Sequence, residues 1–243
     1  MKGLIQKALG CFGYRLTAVP PKSDDGFDAL QERIAPFTMT SRERQRALYD
    51  AVAYIADRGI EGDIVECGVW KGGSSTLAAL TLMERGSTDR TLYLYDTFAG
   101  MSEPTDADVN LHGRAAKGRW KELARDDINE WDYAPLKEVE ANLASTGYPP
   151  ERITFVKGKV EETIPGTMPD RIALLRLDTD WYESTRHEME HLFPRLVSGG
   201  VLILDDYGHW EGARKAVDEY VTEHDLKLFL VRIDYTGRLA VKL

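Results

Sequence analysis

Residues 64–75 read Ile-Val-Glu-Cys-Gly-Val-Trp-Lys-Gly-Gly-Ser-Ser, a short apolar run that leads into a glycine-rich turn. The pattern predicts a strand over 63–67 and a helix over roughly 74–85. Glycine lets a backbone approach a ligand closely, and the start of the following helix offers free N–H groups. The glycine spacing is GxxxGG, which departs from the dinucleotide fingerprint GxGxxG and therefore disfavours NAD.

Strands and helices alternate on both sides of this stretch. Further apolar runs predict strands at 91–95, 153–156, 172–177 and 201–204. Helical patterns cover 41–58, with Thr40 or Ser41 as N-cap, and also 184–196, stopped by Ser198-Gly199-Gly200, and 211–223. Near-continuous apolar strands separated by amphipathic helices indicate a parallel sheet covered on both faces.

Three segments depart from this alternation. Apolar runs at 227–233 and 238–242 flank Asp234-Tyr-Thr-Gly237, which predicts a terminal antiparallel hairpin. Residues 1–40 are predicted to be an N-terminal helical extension, with a docking helix at 1–16 and a linker at 17–28, before the main domain at 41–243. The polar stretch 101–147 predicts a lid-like insertion or a partner surface, with an extra surface pair of helices as the alternative.

Composition excludes several classes of protein. The 243 residues are 43% hydrophobic and carry a net charge of −9, which supports a packed core and disfavours nonspecific binding to nucleic acid or anionic lipid. The two cysteines, Cys11 and Cys67, have neither disulfide-scaffold nor zinc spacing. No apolar run is long enough for a transmembrane segment, so a cytoplasmic setting is the simplest interpretation.

Four carboxylates follow two neighbouring predicted strands. Asp178 and Asp180 come directly after one, and Asp205 and Asp206 come directly after the next. The carboxyl ends of parallel strands meet at one edge of a sheet, so these groups should gather and repel one another. A hard divalent cation, Mg²⁺ or Mn²⁺, relieves such repulsion with oxygen ligands. The alternative is that they cap helices, which explains one aspartate in each turn better than two.

Two more candidates lie at strand ends. Asp96 ends the second strand, where a carboxylate can accept hydrogen bonds from a ribose diol, although it could also cap the next turn. His209 is a candidate proton shuttle or substrate contact, with a structural histidine at a helix start as the equal alternative.

Four blocks in this order resemble the macrocin O-methyltransferase family: 65–74, 95–101, 178–185 and 205–207. The resemblance implies the class I SAM-methyltransferase fold, which is Rossmann-like, with a seven-stranded, mainly parallel sheet that ends in a C-terminal antiparallel hairpin. It also implies methyl transfer from S-adenosylmethionine, with Mg²⁺, to a hydroxyl of a sugar or of a glycosylated natural product.

The resemblance also implies site residues. The cofactor-binding set is Thr38, Met39, Glu66, Gly68, Trp70, Gly72, Gly73, Ser74, Asp96, Thr97, Gly158 and Asp178. The metal ligands would be Asp178, Asp205 and Asp206. Asp180 would be the general base, and His209 stays the second catalytic candidate on the grounds given above.

Two other functions stay open at this point. A catechol could also chelate magnesium through its two hydroxyls, which would make the chain a catechol-type O-methyltransferase. A SAM- or nucleoside-binding partner protein without turnover is the second alternative. The acceptor is expected to be a small molecule held by 101–147, and apolar residues near the N-terminus hint at a homo-oligomer.

Overall fold

A seven-stranded sheet organises the part of the chain that the computed structural model describes, residues 26–243. The strands in chain order are β1 (Asp63–Cys67), β2 (Leu92–Asp96), β3 (Ala124–Arg125), β4 (Ile128–Asn129), β5 (Ile153–Lys157), β6 (Ile172–Leu177), β7 (Leu196–Leu204), β8 (Val231–Arg232) and β9 (Arg238–Val241). The order in the sheet is β5-β2-β1-β6-β7-β9-β8, while β3 and β4 pair separately. Strands β5, β2, β1, β6 and β7 are parallel to one another, and β9 is antiparallel to both β7 and β8. The expected seven-stranded, mainly parallel sheet with a terminal hairpin is confirmed.

Eight α-helices lie within the described residues. They are α1 (Phe27–Ile34), α2 (Arg42–Asp57), α3 (Gly73–Glu84), α4 (Ala116–Leu123), α5 (Leu136–Ala144), α6 (Val160–Thr163), α7 (Tyr182–His191) and α8 (Glu211–Glu223). Ser41 is the N-cap of α2, where its hydroxyl accepts the backbone N–H of Arg44 at 3.1 Å.

Side-chain alternation along the strands builds one core on each face of the sheet. Ile64 and Leu174 point to the face covered by α1, α2, α3 and α5. Val65 and Leu175 point to the other face, which α6, α7 and α8 cover. Burial on both faces explains why the central strands are apolar throughout instead of alternating with polar residues.

The carboxyl end of β1 is the switch point of the sheet. The chain adds β2 and β5 on one side of β1, and then crosses to add β6 and β7 on the other. Loops that leave neighbouring strands in opposite directions open a crevice, which is where ligands bind in open α/β sheets.

The segment 101–147 folds over this edge of the sheet. It contains α4, the β3–β4 hairpin and α5. The indole N–H of Trp181 donates to the carbonyl of Ser102 at 3.0 Å, and buried Asp108 accepts the backbone N–H of Tyr182 at 2.8 Å. A lid function for this segment stays a prediction.

Several expected boundaries are wrong. Ser198-Gly199-Gly200 does not stop a helix but lies inside β7, where the Gly199 N–H donates to the Lys242 carbonyl at 2.7 Å. Of the run 227–233, only Val231–Arg232 is a strand. The linker predicted at 17–28 is helical from Phe27 onward. Phe27 and Ile34 are buried in the core beneath α1, α2, α3 and α5.

The docking helix expected at 1–16 and residues 17–25 of the linker lie outside the described residues. The division of the chain at residue 40 stays a prediction. No helix between residues 26 and 243 has the length and apolar character required to cross a membrane.

Candidate active site

One carboxylate, that of Asp96 at the end of β2, organises the glycine turn after β1. Its Oδ2 accepts the backbone N–H groups of Val69 at 2.7 Å and Trp70 at 3.0 Å, and its Oδ1 accepts that of Phe98 at 2.7 Å. Burial raises the pKa of Asp96, and these hydrogen bonds oppose the rise. Asp96 therefore shapes the turn as well as lining the cavity beside it.

Two glycines of the turn lie where a Cβ atom would collide with backbone. A Cβ on Gly68, whose φ is +83°, would be 2.0 Å from the carbonyl oxygen of Asp178. A Cβ on Gly73 would be 2.4 Å from the carbonyl oxygen of Phe37. Because these two glycines lack side chains, the backbones of Asp178 and Phe37 can pack directly against the turn.

A central cavity of about 230 Å³ opens above these residues. Its lining includes most of the predicted cofactor residues: Thr38, Met39, Glu66, Gly68, Trp70, Gly73, Ser74, Asp96 and Asp178. A smaller side cavity of about 60 Å³ shares Asp96 with it and adds Thr97 and Gly158. Gly72 does not line either cavity; its φ is +82°, and a Cβ there would lie 2.8 Å from Leu143 of α5.

The four predicted carboxylates do come together at the carboxyl ends of β6 and β7. One oxygen from each of Asp178, Asp205 and Asp206 lies within 4.8 Å of the others. Asp180 joins them because the chain turns tightly at this residue, with φ at +69° and the Trp181 N–H donating to the Thr179 carbonyl at 2.8 Å. A turn, and not strand alternation, thus directs both Asp178 and Asp180 into the central cavity.

Two arginines that the sequence reasoning missed hold this cluster. Buried Arg176 of β6 donates to Glu66 at 2.7 Å and Asp205 at 2.6 Å, and lies 2.7 Å from an oxygen of Asp178. The β1–β6 register explains the first contact, because Glu66 and Arg176 are paired neighbours. A signal existed in the sequence, since Arg176 interrupts an otherwise apolar strand.

The second arginine, Arg44, comes from a distant part of the chain. It lies in the first turn of α2 and forms an ion pair with Asp205, and its Nε donates to Asp234 at 3.1 Å. Asp205 is 161 positions away along the chain. Only the packing of α2 and the terminal hairpin against the sheet edge brings these three residues together.

The cluster fits a hard divalent cation. Five carboxylates, those of Glu66, Asp178, Asp180, Asp205 and Asp206, share two guanidinium groups, one of which also pairs with Asp234, so negative charge stays uncompensated when all are ionised. Burial together with neighbouring carboxylates raises the pKa of Asp178 and of Asp206. The Oδ2 atom of Asp206 is buried without a hydrogen-bond partner. Oxygen donors with unmet charge are the ligands that Mg²⁺ and Mn²⁺ prefer.

Asp180 stands between the central cavity and an outer cavity of about 390 Å³. Asp132, His209 and Trp210 also line both spaces. Burial raises the pKa of Asp180 to about 8, and the charges of Asp178 and Asp132 act in the same direction. Because this carboxylate faces both cavities, it can contact a group held in either one.

His209 lines the same junction. Its Nδ1 lies 3.4 Å from the hydroxyl of Tyr235, a hairpin residue absent from the sequence prediction. Burial lowers the pKa of His209, as do the charges of His112 and Arg44. The imidazole is therefore neutral near pH 7 and can accept or relay a proton.

The chain is similar in sequence and in fold to known methyltransferases. A family model described as "Macrocin-O-methyltransferase (TylF)" matches residues 21–241 of the chain. Among solved structures, that of the O-methyltransferase NovP is 29% identical, with a TM-score of 0.73 over 85% of this chain and 82% of that one.

Two curated relatives have named acceptors. The 8-demethyl-8-(2,3-dimethoxy-alpha-L-rhamnosyl)-tetracenomycin-C 4'-O-methyltransferase of Streptomyces olivaceus is 36% identical, over 82% of this chain and 73% of its own. The mycinamicin III 3''-O-methyltransferase of Micromonospora griseorubida is 32% identical, over 82% of this chain and 76% of its own. This chain is similar to both along most of its length.

Proposed function

The chain belongs to the macrocin O-methyltransferase family, and from this premise we propose that it methylates a hydroxyl of a sugar or of a glycosylated natural product. It has the class I methyltransferase fold and is an O-methyltransferase. The observation that carries the proposal is the position of Asp180, which faces both the central cavity and the outer cavity. Such a carboxylate can take a proton from an acceptor in one space while a methyl donor occupies the other.

The central and side cavities are assigned to the methyl donor. S-adenosylmethionine bound there would supply an electrophilic methyl group on a sulfonium. Thr38, Met39 and the turn from Gly68 to Ser74 would surround its amino-acid end, and Asp96 would accept hydrogen bonds from its ribose. Gly158 would lie near the adenine, at the far end of the side cavity.

Asp178, Asp205 and Asp206 are assigned to a divalent cation. Mg²⁺ or Mn²⁺ held by them would lower the pKa of an acceptor hydroxyl and orient it. Arg176 and Arg44 would keep these carboxylates in place, because their guanidinium groups bond to Asp178 and Asp205. The buried, unpartnered Oδ2 of Asp206 supports this assignment.

Asp180 is assigned the role of general base. Its carboxylate would accept the proton of the acceptor hydroxyl as the hydroxyl oxygen attacks the methyl group. Bound S-adenosylmethionine would supply that methyl carbon, and its sulfur would keep the electron pair of the carbon–sulfur bond. His209 is placed to accept a hydrogen bond from the acceptor or to pass the proton onward. Trp131 and Trp210 line the outer cavity beside Asp180 and would limit the access of water to the acceptor hydroxyl.

A sugar acceptor is favoured over a catechol by the relatives. The name of the Streptomyces olivaceus enzyme, which is 36% identical to this chain, includes a rhamnosyl group. The catalytically silent alternative is not favoured, because the carboxylates of the family motifs are all present and converge on one site.

Two measurements test the proposal. The first is calorimetric titration of the metal-stripped protein with S-adenosylhomocysteine, for which we expect binding in the wild type and weaker binding in Asp96→Asn. The second is methyl transfer from labelled S-adenosylmethionine to rhamnosides and to a catechol. We expect transfer to a rhamnoside that is lost with EDTA and restored by Mg²⁺. Transfer to the catechol alone, or no binding of S-adenosylhomocysteine, would contradict the proposal.

A further inference from the structure

The outer cavity carries two arginines that the proposed chemistry does not use. Arg114 and Arg119 line it together with Asp180 and His209. At about 390 Å³ the space lies within the range of small-molecule pockets. Both arginine side chains are exposed and can therefore reach a ligand that enters from solvent.

Neither guanidinium group forms an ion pair with a carboxylate of residues 26–243. Most arginines in this range do, including Arg125 with Glu130 and Arg171 with Glu61. Arg119 lowers the pKa of Asp132, against the larger effect of burial. Two guanidinium groups without an ion pair to a described carboxylate therefore line a cavity in a protein whose net charge is −9.

The side chain of Arg119 packs on an aromatic ring. The Arg119 guanidinium lies 4.5 Å from the ring centroid of Trp131, a cation–π contact. Trp131 itself packs against Trp181 and Trp210, with ring centroids 5.6 and 6.1 Å away. This aromatic cluster fixes the position of Arg119 relative to the junction of the two cavities.

Arg114 lies in a turn whose backbone is hydrogen-bonded to the loop that carries His209. The Leu111 N–H donates to the His209 carbonyl at 2.8 Å, and Asn110 pairs with Trp210 across an antiparallel bridge. The side chain of Asn110 accepts the N–H of Arg114 at 3.1 Å, which closes the turn. The position of Arg114 is thus tied to that of His209.

The outer cavity is therefore lined by two acidic residues, Asp132 and Asp180, and by two basic residues, Arg114 and Arg119. Guanidinium groups bind phosphates and carboxylates through paired, charge-assisted hydrogen bonds. Resting on the function proposed above, we propose that the acceptor is an acidic sugar derivative, whose phosphate or carboxylate binds Arg114 and Arg119 while its hydroxyl reaches Asp180. A nucleoside diphosphate sugar and a glycoside of a uronic acid are the two sources of such a group.

The test compares acceptors that differ in charge. Rhamnose and glucose are each supplied as the neutral methyl glycoside and as the nucleoside diphosphate sugar, and methyl glucuronide supplies the carboxylate. Binding to the full chain, saturated with S-adenosylhomocysteine and Mg²⁺, is measured by calorimetry for the wild type and for the double variant Arg114→Gln/Arg119→Gln. Lys117→Gln is the matched control, because Lys117 is on the same helix as Arg119 but does not line the cavity.

We expect at least one acidic probe to bind roughly ten-fold more tightly than its neutral partner, as two charge-assisted contacts allow. The double variant should lose that advantage and Lys117→Gln should keep it. Preference for the nucleoside diphosphate or for the glucuronide identifies the source of the charge. Equal binding of acidic and neutral probes, no binding of any acidic probe, or an advantage that survives in the double variant would each overturn the inference. Failure to bind S-adenosylhomocysteine would instead refute the proposed function, which separates the two results.

Discussion

Arg176 provides the sharpest test of how the acidic site is stabilised. Its side chain is 4% exposed and lies 2.6 to 2.7 Å from oxygens of Glu66, Asp178 and Asp205. Replacement by methionine keeps much of the apolar volume and removes the charge, so three buried carboxylates lose their common partner. Removing one partner of a buried ion pair costs about 3–5 kcal/mol. We expect Arg176→Met to lower the free energy of unfolding by at least about that amount at neutral pH.

The decrease in the free energy of unfolding of Arg176→Met should depend on pH. Burial raises the pKa of Glu66 and Asp178, while Arg176 lowers it, so the variant's pKa values rise further. A carboxylate with a raised native pKa destabilises the fold progressively as pH increases above its unfolded value of about 4. The destabilisation should therefore be small near pH 4 and grow towards neutrality.

Urea unfolding of both proteins across this pH range measures the effect, and a fall in Tm of roughly 10 °C should accompany it at neutral pH. Arg171→Met is the control, because Arg171 precedes the same strand but is 58% exposed in its pair with Glu61, a kind of pair that contributes about 0–1 kcal/mol. A loss below about 1 kcal/mol in Arg176→Met, equal to the control and independent of pH, would refute the reasoning.

Three further predictions concern the proposed metal ligands, the buried Glu188 of α7 and the glycine turn. Asp178→Ala should abolish turnover and its dependence on metal while titration still detects S-adenosylhomocysteine binding; full activity would rule out the metal assignment. Glu188→Gln should raise the unfolding free energy in urea by about 1–2 kcal/mol at pH 8, because burial raises the pKa of Glu188 and its Oε2 has no partner. That gain should vanish near pH 3, where the native and unfolded glutamate are both largely protonated, and a constant gain would contradict this explanation. Gly73→Ala should weaken S-adenosylhomocysteine binding and lower Tm, because the new Cβ would meet the Phe37 carbonyl at 2.4 Å; unchanged affinity and Tm would show that this contact relaxes freely.

The pattern of apolar residues along the sequence was sufficient to predict the bounds of two elements. The strand at 172–177 and the helix at 211–223 have the bounds that the sequence predicts. The strand is a near-continuous apolar run that is buried on both faces, and the helix presents one apolar face to the core, so neighbouring residues identify both. Ser198-Gly199-Gly200 was misread because its strand conformation depends on pairing with the terminal hairpin, more than 40 positions later.

The sequence also determined the family, because its motif blocks carry the glycine turn and the four aspartates in order, and the family match confirms the resemblance. It predicted that Asp178, Asp180, Asp205 and Asp206 converge, since parallel strands end at one edge. It did not determine what compensates them. Arg44 reaches Asp205 across 161 positions, and Arg114 and Arg119 face Asp180 only because 101–147 folds over the sheet. Because parallel strands end at one edge of the sheet, the spacing of residues in the sequence predicts which of them share that edge. The partners of a buried charge depend instead on long-range packing, which no short stretch of sequence encodes.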